Sequence, residues 1–310
     1  MSLYKNHPLV SVTVITYNSS KTVIETLDSI KAQTYDNIEL VICDDCSTDN
    51  TVPLCREWIQ ANKNSFAEVQ IIESAQNTGT AGNFNRADAA CHGEWVKPIA
   101  GDDVLMPTCV ADYMEFVSEN PDTVIVFGRC SCFGGTRRQR RTFEEDIFRM
   151  DFYGWSAQVQ YAFLLKGNCV PASTVFYNVW KMNELGVHCD ERIPLLEDWP
   201  RWINLTRKGI RLKGIDKVTV RYRLNGISSA HLNLPGKAYY RSLRLFDYLY
   251  RYPLSCNDDR QLILEKALEY DCMQYDRLLD VYRSKEYKLG EALLAPFKKV
   301  IHLLRCLQSR

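Results

Sequence analysis

Leu9-Val10-Ser11-Val12-Thr13-Val14-Ile15-Thr16-Tyr17 is dense in β-branched residues. Such a run predicts a strand buried on both faces, which favours a parallel sheet covered by helices. Asn18-Ser19-Ser20 follows as turn and cap, and Val23, Ile24, Leu27 and Ile30 then recur at helical spacing. Ile38 to Cys43 reads as a second strand, ending in the polar turn Asp44 to Thr51 that caps a helix from Val52 to Ile59. Val69 to Ile72 is a short third strand. Asn77 to Arg86 opens a helix through Cys91, and Trp95 to Ala100 is a fourth strand. A β-α-β-α-β-α-β order of this kind is the pattern of a doubly wound α/β sheet.

Beyond residue 104 the pattern changes. The sequence predicts a helix over 110–117, a strand over 123–128, a loop entering a strand over 167–176, and a helix beginning at Glu197-Asp198-Trp199-Pro200 and running through Leu205. Proline is tolerated in a first turn. Val218 to Arg223 reads as a strand and Leu224-Asn225-Gly226 as a turn; from Ala238 the chain reads as helices broken at Pro253 and Pro296.

The 310 residues are 46% hydrophobic and 25% charged with a formal net charge of zero. Nothing global therefore points to nucleic acid as a partner. The 12 cysteines, with no signal-peptide pattern before the first strand, lead to the expectation of a reducing, cytoplasmic setting. Cys43-x-x-Cys46 and Cys130-x-Cys132 lack a matching second pair at zinc-site spacing. No apolar run approaches the ~18 residues of a membrane span. Residues 291–310 mix leucines and Phe297 with Lys298, Lys299, Arg305 and Arg310, so they suit either a packing helix or a peripheral contact at the inner face of an anionic membrane. The basic run Arg137 to Arg141 suits a solvated loop or an anion-contacting flap. Oligomeric state is not written in the sequence.

In doubly wound sheets ligands sit outside the carboxyl ends of the strands. Three polar clusters fall there: Thr16-Tyr17-Asn18, Asp44-Asp45 and Gly101-Asp102-Asp103. Adjacent carboxylates raise each other's pKa unless a positive partner is present, and a divalent metal carrying phosphate oxygens is one such partner. No G-x-G-x-x-G follows the first strand and no P-loop motif occurs, so something other than a glycine-rich loop must handle phosphate.

Taken in order, Val12 to Asn18, Val41 to Asp49, Asn77-x-Gly79, Gly93-Glu94-Trp95 and Gly101-Asp102-Asp103 resemble family 2 glycosyltransferases of the GT-A fold. The match covers residues 8 to 225, and its first 105 residues are the specific part. The resemblance implies a GT-A domain over 1–230, with a nucleotide-binding half at 1–105 and an acceptor-side half at 106–230, and a helical C-terminal extension over 231–310. Its sheet would be single and mostly parallel. It implies an inverting, metal-dependent enzyme that moves a hexosyl or N-acetylhexosaminyl group from a nucleotide-sugar donor, a UDP-sugar first, to a saccharide or lipid-linked acceptor.

The resemblance also implies residue roles. Thr16 and Tyr17, with Asn18, Asp45 and Asp44, would hold the base and ribose. Asn77, Gly79 and Asn83 would lie along the nucleotide and pyrophosphate. Asp102, with Asp103 second, would take Mn2+ or Mg2+, although Ala100 stands where members often carry a further Asp. Glu197-Asp198 resembles the acceptor-side pair of the family, with Asp198 as base ahead of Glu197. Arg221 and Arg223, on one face of a strand, would contact phosphate, and Asn225 stands where a His is frequent. Ala100 and Asn225 also support a rival, a sugar-nucleotide-binding protein that has lost catalysis. A nucleotidyltransferase would be expected to carry a Gly- and Arg/Lys-rich loop after the first strand, unlike Thr16 to Ser20.

Overall fold

The computed structural model describes residues 7–136, 149–224 and 237–256, with Arg140 and short stretches between 259 and 289. Residues 291–310, Asn225, and four of the five residues of the basic run (Arg137, Arg138, Gln139 and Arg141) lie outside the described residues. The chain forms two units, Met1–Leu254 and Ser255–Arg310. The eight-stranded sheet belongs wholly to the first.

Strands β1 (Val10–Thr16), β2 (Ile38–Asp44), β3 (Glu68–Glu73) and β4 (Trp95–Ala100) lie side by side in the order β3-β2-β1-β4, all parallel. Helices α1 (Val23–Lys31), α2 (Thr51–Asn62) and α3 (Gly79–Ala90) make the crossovers. Register sets Thr16 beside Asp44 and Ile15 beside Ala100, so the three polar clusters emerge at one edge. Every residue of β2 is buried, as a strand covered on both faces requires.

Beyond β4 the sheet becomes mixed. The remaining elements are β5 (Val104–Leu105), α4 (Cys109–Glu119), β6 (Ile125–Gly134), α5 (Met150–Gly154), α6 (Ala157–Leu164), β7 (Val175–Asn178), α7 (Val179–Glu184), α8 (Trp199–Arg207), β8 (Lys213–Leu224) and α9 (Lys237–Phe246). β7 is antiparallel to both β4 and β6, and β5 is antiparallel to β8, while β6 and β8 run parallel. The sheet thus stays mostly parallel, with β5 and β7 as its antiparallel strands. β6 and β8 are longer than their apolar runs predict. The register of β6 shifts between Phe127 and Cys130, and its polar continuation is held by pairing with β8. β5 has two residues and no periodicity to announce it.

One core face packs Val12, Val14, Leu27, Leu40, Trp58 and Tyr113. There Phe176 stacks between Trp95 and Tyr113, with centroid separations of 5.2 and 4.9 Å. The other face gathers Phe127, Phe152, Trp202, Ile203 and Phe246. Within β4, Lys97 is fully buried and its Nζ donates to the carbonyls of Pro98 (2.6 Å) and Ser173 (2.7 Å). Pro98 lies past the two-residue β4–β7 pairing, where its missing N–H leaves no gap on that side.

Two details of this framework make predictions. Gly79 opens α3 at φ +79°, and a Cβ there would lie 2.7 Å from the Pro194 carbonyl oxygen. Gly79→Ala should therefore lower stability by about 1–3 kcal/mol, read as a lower urea midpoint at constant m. At the amino ends of the strands, Glu39 is buried and accepts from the Ser11 hydroxyl and the His92 N–H (2.9 Å), while His92 Nδ1 lies 2.8 Å from its carboxylate. Glu39 and then Glu68 raise the His92 pKa. A raised folded value means a contribution fully present below the unfolded value of about 6.5 and lost as pH rises through the folded one. The melting-temperature advantage of wild type over His92→Gln should thus be largest near pH 6 and shrink towards alkaline pH.

Candidate active site

The ends of β1 and β2 are built around Asp44. It is 2% exposed and accepts from the Thr16 hydroxyl (2.8 Å), the Ser47 N–H (2.7 Å) and the Ser47 hydroxyl (2.6 Å). Asp44 and Thr16 therefore close the loop rather than offer free edges to a ligand. The Asn18 carbonyl oxygen of the side chain accepts from the Thr48 N–H at 2.8 Å, and this holds the neighbouring turns together. Asn18 (φ 52°) and Cys46 (φ 68°) are the two non-glycine residues with positive φ among the described residues. Backbone strain of this kind persists where surrounding bonds over-determine it, and it clusters at functional sites. Tyr17, 40% exposed, stands at the mouth of this corner.

Asp45 points the other way. Its carboxylate accepts from the Thr78 N–H (3.0 Å), the Thr78 hydroxyl (2.7 Å) and the Gly79 N–H (2.8 Å), with Arg86 at 3.6 Å. An anion at a helix amino terminus meets unsatisfied N–H groups and the positive end of the dipole. Asn77 adds a further acceptor for the Gly79 N–H at 3.1 Å. Asn83, expected along the pyrophosphate, is 1% exposed and turned into the sheet. Its Nδ2 donates to the Cys43 carbonyl (2.9 Å), and its Oδ1 accepts from Arg86 (2.8 Å). Its place is in the framework.

At the end of β4, Gly101 lets the loop press on β1: a Cβ there would fall 2.9 Å from Thr16 Cγ2. The two carboxylates that follow differ. Asp103 is 1% exposed and its Oδ1 accepts from the Arg223 N–H at 2.8 Å. Burial, and then Asp102, push its carboxyl well above the usual range. Asp102 retains 7% exposure. Arg223 donates from Nε to the Asp102 carbonyl (2.7 Å), pairs with Glu25 and lies over the Phe133 ring at 4.3 Å. It latches β8 to the loop and to α1. Arg221, on the same face, also lies over Phe133, at 4.6 Å, and is exposed.

The sequence points to a divalent cation on Asp102 and Asp103. Asp103 is engaged with β8, and Asp102, the less buried of the two, is the one whose carboxylate could hold a cation. One carboxylate still fits Mn2+ or Mg2+, which take their other ligands from diphosphate oxygens and water. A different set of ligand-type side chains, Glu39, Glu68 and His92, lies within 4.8 Å of one another. It sits at the opposite ends of the parallel strands and is no part of this site.

Glu197 and Asp198 stand half-buried immediately before α8. Trp199 fixes this corner by donating from Nε1 to the Leu164 carbonyl (2.8 Å), and Trp202 packs edge-on against Phe127 at 5.0 Å. Asn168 donates to Asp198 Oδ2 at 3.3 Å. Burial, and then Asp198, push Glu197 up to about 7; burial also raises Asp198. Two adjacent carboxyls of this kind titrate as a coupled pair.

One face of α3 grips the segment that leads to this pair. The Ala81 N–H donates to the Pro194 carbonyl (3.1 Å), and Asn85 bonds both the N–H (2.9 Å) and the carbonyl (3.0 Å) of Cys189. Asp88 and Arg201 pair at 3.4 Å. None of Asn85, Asp88, Asn168, Pro194 or Arg201 is singled out by sequence motifs. The α3 residues meet partners about a hundred positions away, and no local pattern reports such contacts.

The comparisons with known proteins agree with this geometry. A sequence profile described as Glycosyl transferase family 2 matches residues 11–176, more than half of the 310. The UDP-Glc:alpha-D-GlcNAc-diphosphoundecaprenol beta-1,3-glucosyltransferase WfaP of Escherichia coli is 27% identical over 217 residues, covering 70% of this chain and 78% of WfaP. The putative teichuronic acid biosynthesis glycosyltransferase TuaG of Bacillus subtilis is 26% identical over 225 residues, covering 72% of this chain and 82% of TuaG. S. aureus TarS 1-349 in complex with UDP-GlcNAc superposes with a TM-score of 0.62 at 19% identity, over 84% of this chain and 71% of that one. The chain spans 43% of the longer TarS structure. The mannosyltransferase PcManGT from Pyrobaculum calidifontis, in complex with GDP-Man and Mn2+, superposes at 0.58 with 17% identity, over 94% of this chain and 85% of that one. The profile match over more than half of its length places the chain in glycosyl transferase family 2.

Proposed function

We propose that the chain transfers a hexosyl or N-acetylhexosaminyl group from a UDP-sugar, with inversion, to a saccharide or lipid-linked acceptor in cell-surface glycan synthesis. The observation that carries this is the half-buried Glu197–Asp198 pair, tied through α3 to the strand ends that carry Asp45 and Asp102. Support for the donor and acceptor comes from WfaP, named for UDP-Glc and a diphosphoundecaprenol acceptor, and from the UDP-GlcNAc complex of TarS.

In this reading the acceptor oxygen attacks the anomeric carbon from the face opposite UDP. The C1–O bond to the diphosphate breaks, and the acceptor proton passes to Asp198. Asn168 orients the Asp198 carboxylate. Glu197, at its side, raises its basicity by like-charge repulsion. Tyr17 and Asp45 serve the nucleoside, and exposed Arg221 serves the phosphates. Asp102 would hold Mn2+ or Mg2+, which supplies charge neutralisation at the leaving diphosphate. No helix among the described residues is long and apolar enough to cross a membrane. A lipid-linked acceptor would be met by peripheral contact at the cytoplasmic face.

Two experiments test this. UDP with Mn2+ at a hundredfold excess over Kd should add about 2.7 kcal/mol of stability, seen as a raised melting temperature. Asp102→Ala should remove the Mn2+-dependent part of that rise and keep the part due to UDP alone. Asp198→Asn should lower kcat by about 10²–10⁴-fold with the UDP shift intact; an Asp198→Asn enzyme of normal rate would move the base elsewhere.

A further inference from the structure

Arg201 is a charged side chain that the reaction described above does not use. It is 2% exposed, on α8. Its guanidinium lies over the Tyr177 ring at 4.6 Å, with Nη2 3.4 Å from Asp88 Oδ2 and Nη1 3.7 Å from Cys189 Sγ. Its Nε has no hydrogen-bond partner. Tyr177 in turn donates its hydroxyl to the other oxygen of Asp88. Removing a guanidinium from water is costly, and one ion pair at this distance with an unbonded Nε compensates it poorly. Packing alone would favour an apolar residue here.

The position of Arg201 supplies a reason. It follows Asp198, the N-cap of α8, by three residues, a spacing that places side chains on one face of the first turn, and Glu197 directly precedes that cap. The Trp202 N–H bond to the Asp198 carbonyl (3.1 Å) shows that the helix is already wound there. We propose that Arg201, tethered by Asp88 and Tyr177, is the positioning residue of the Glu197–Asp198 pair: its cation favours the ionised form that accepts the proton of the attacking hydroxyl. The inference rests on the reading of that pair as the base.

Arg201 is the cation that acts on Glu197, against the neighbouring Asp198. Asn168, from the loop after α6, and the Trp202 indole are neutral. Burial pushes the Cys189 thiol up to about 12 and the Tyr177 phenol well above its usual value, so both stay protonated. Asp88 faces Arg201 from α3, and His188 faces Asp88 in turn. The Arg201 field opposes the burial and like-charge repulsion that raise Glu197.

The test is a carboxyl carbon-13 NMR titration of protein labelled at Asp and Glu side chains, with Glu197→Gln and Asp198→Asn used for assignment. It needs no knowledge of donor or acceptor. Arg201→Met should move the titration of the pair up by about one to two pH units, within the range of an opposite charge at 4–6 Å, and Arg201→Lys should restore it. The same displacement should appear as a ten- to hundredfold loss of UDP-sugar turnover below the shifted value, recovering at higher pH. A titration unmoved in folded Arg201→Met would overturn the proposal and leave Arg201 a packing residue. If Arg201→Met shows no thermal transition, Asp88→Asn carries the test. It frees the Arg201 field and should move the titration down; an unmoved or raised titration would again overturn the proposal. A normal rate in Asp198→Asn would instead sink the base assignment, whatever the titration shows.

Discussion

The seat of Asp45 on the amino terminus of α3 is the interaction on which the rest of the site depends. A carboxylate that is 3% exposed at a strand end must find donors. It finds them in Thr78 and Gly79, at the point where the chain turns into α3. That turn needs a residue at positive φ with no Cβ, because Pro194 presses against it. From this anchored end, the face of α3 bearing Ala81, Asn85 and Asp88 reaches the segment before α8. The nucleoside corner and the candidate base are therefore positioned by the amino end and one face of a single helix.

The same economy governs the carboxylates. Asp44 and Asp103 each neighbour a second Asp in sequence, and each is turned inward: Asp44 to close its own loop, Asp103 to receive the Arg223 N–H. Their neighbours Asp45 and Asp102 carry the candidate ligand roles. Asp45, Asp102 and Asp103 lie past the ends of β2 and β4, so the donors each meets, rather than strand alternation, set where it points. In the proposed reading the cation would rest on Asp102, since Ala100 adds no further oxygen.

Much of this is legible in the chain before it folds. The four parallel strands show as β-branched runs because a strand covered on both faces leaves no polar alternation, and the strand-end clusters show because loops there must end those runs. The second half is less legible. β5 is two residues long, β6 runs on through Gly128-Arg129-Cys130, and the antiparallel setting of β7 depends on partners rather than on its own residues. Asn83 reads as a ligand residue because it lies near Asn77 and Gly79, yet helical geometry turns it into the sheet.

By itself the sequence determined the α/β class, the strands that build the nucleotide half, and the residue types that gather at their ends. These follow from periodicity and turn chemistry, which act over a few residues. Only the tertiary structure decided which partners each buried carboxylate takes, that Asn85 and Asp88 hold the segment before α8 and α8 itself, and that Arg201 is buried one turn beyond Asp198. Many of those outcomes are set by contacts between residues far apart in sequence, such as Asn85 with Cys189 and Asp103 with Arg223, where burial forces each polar group to find a partner and no local pattern says which.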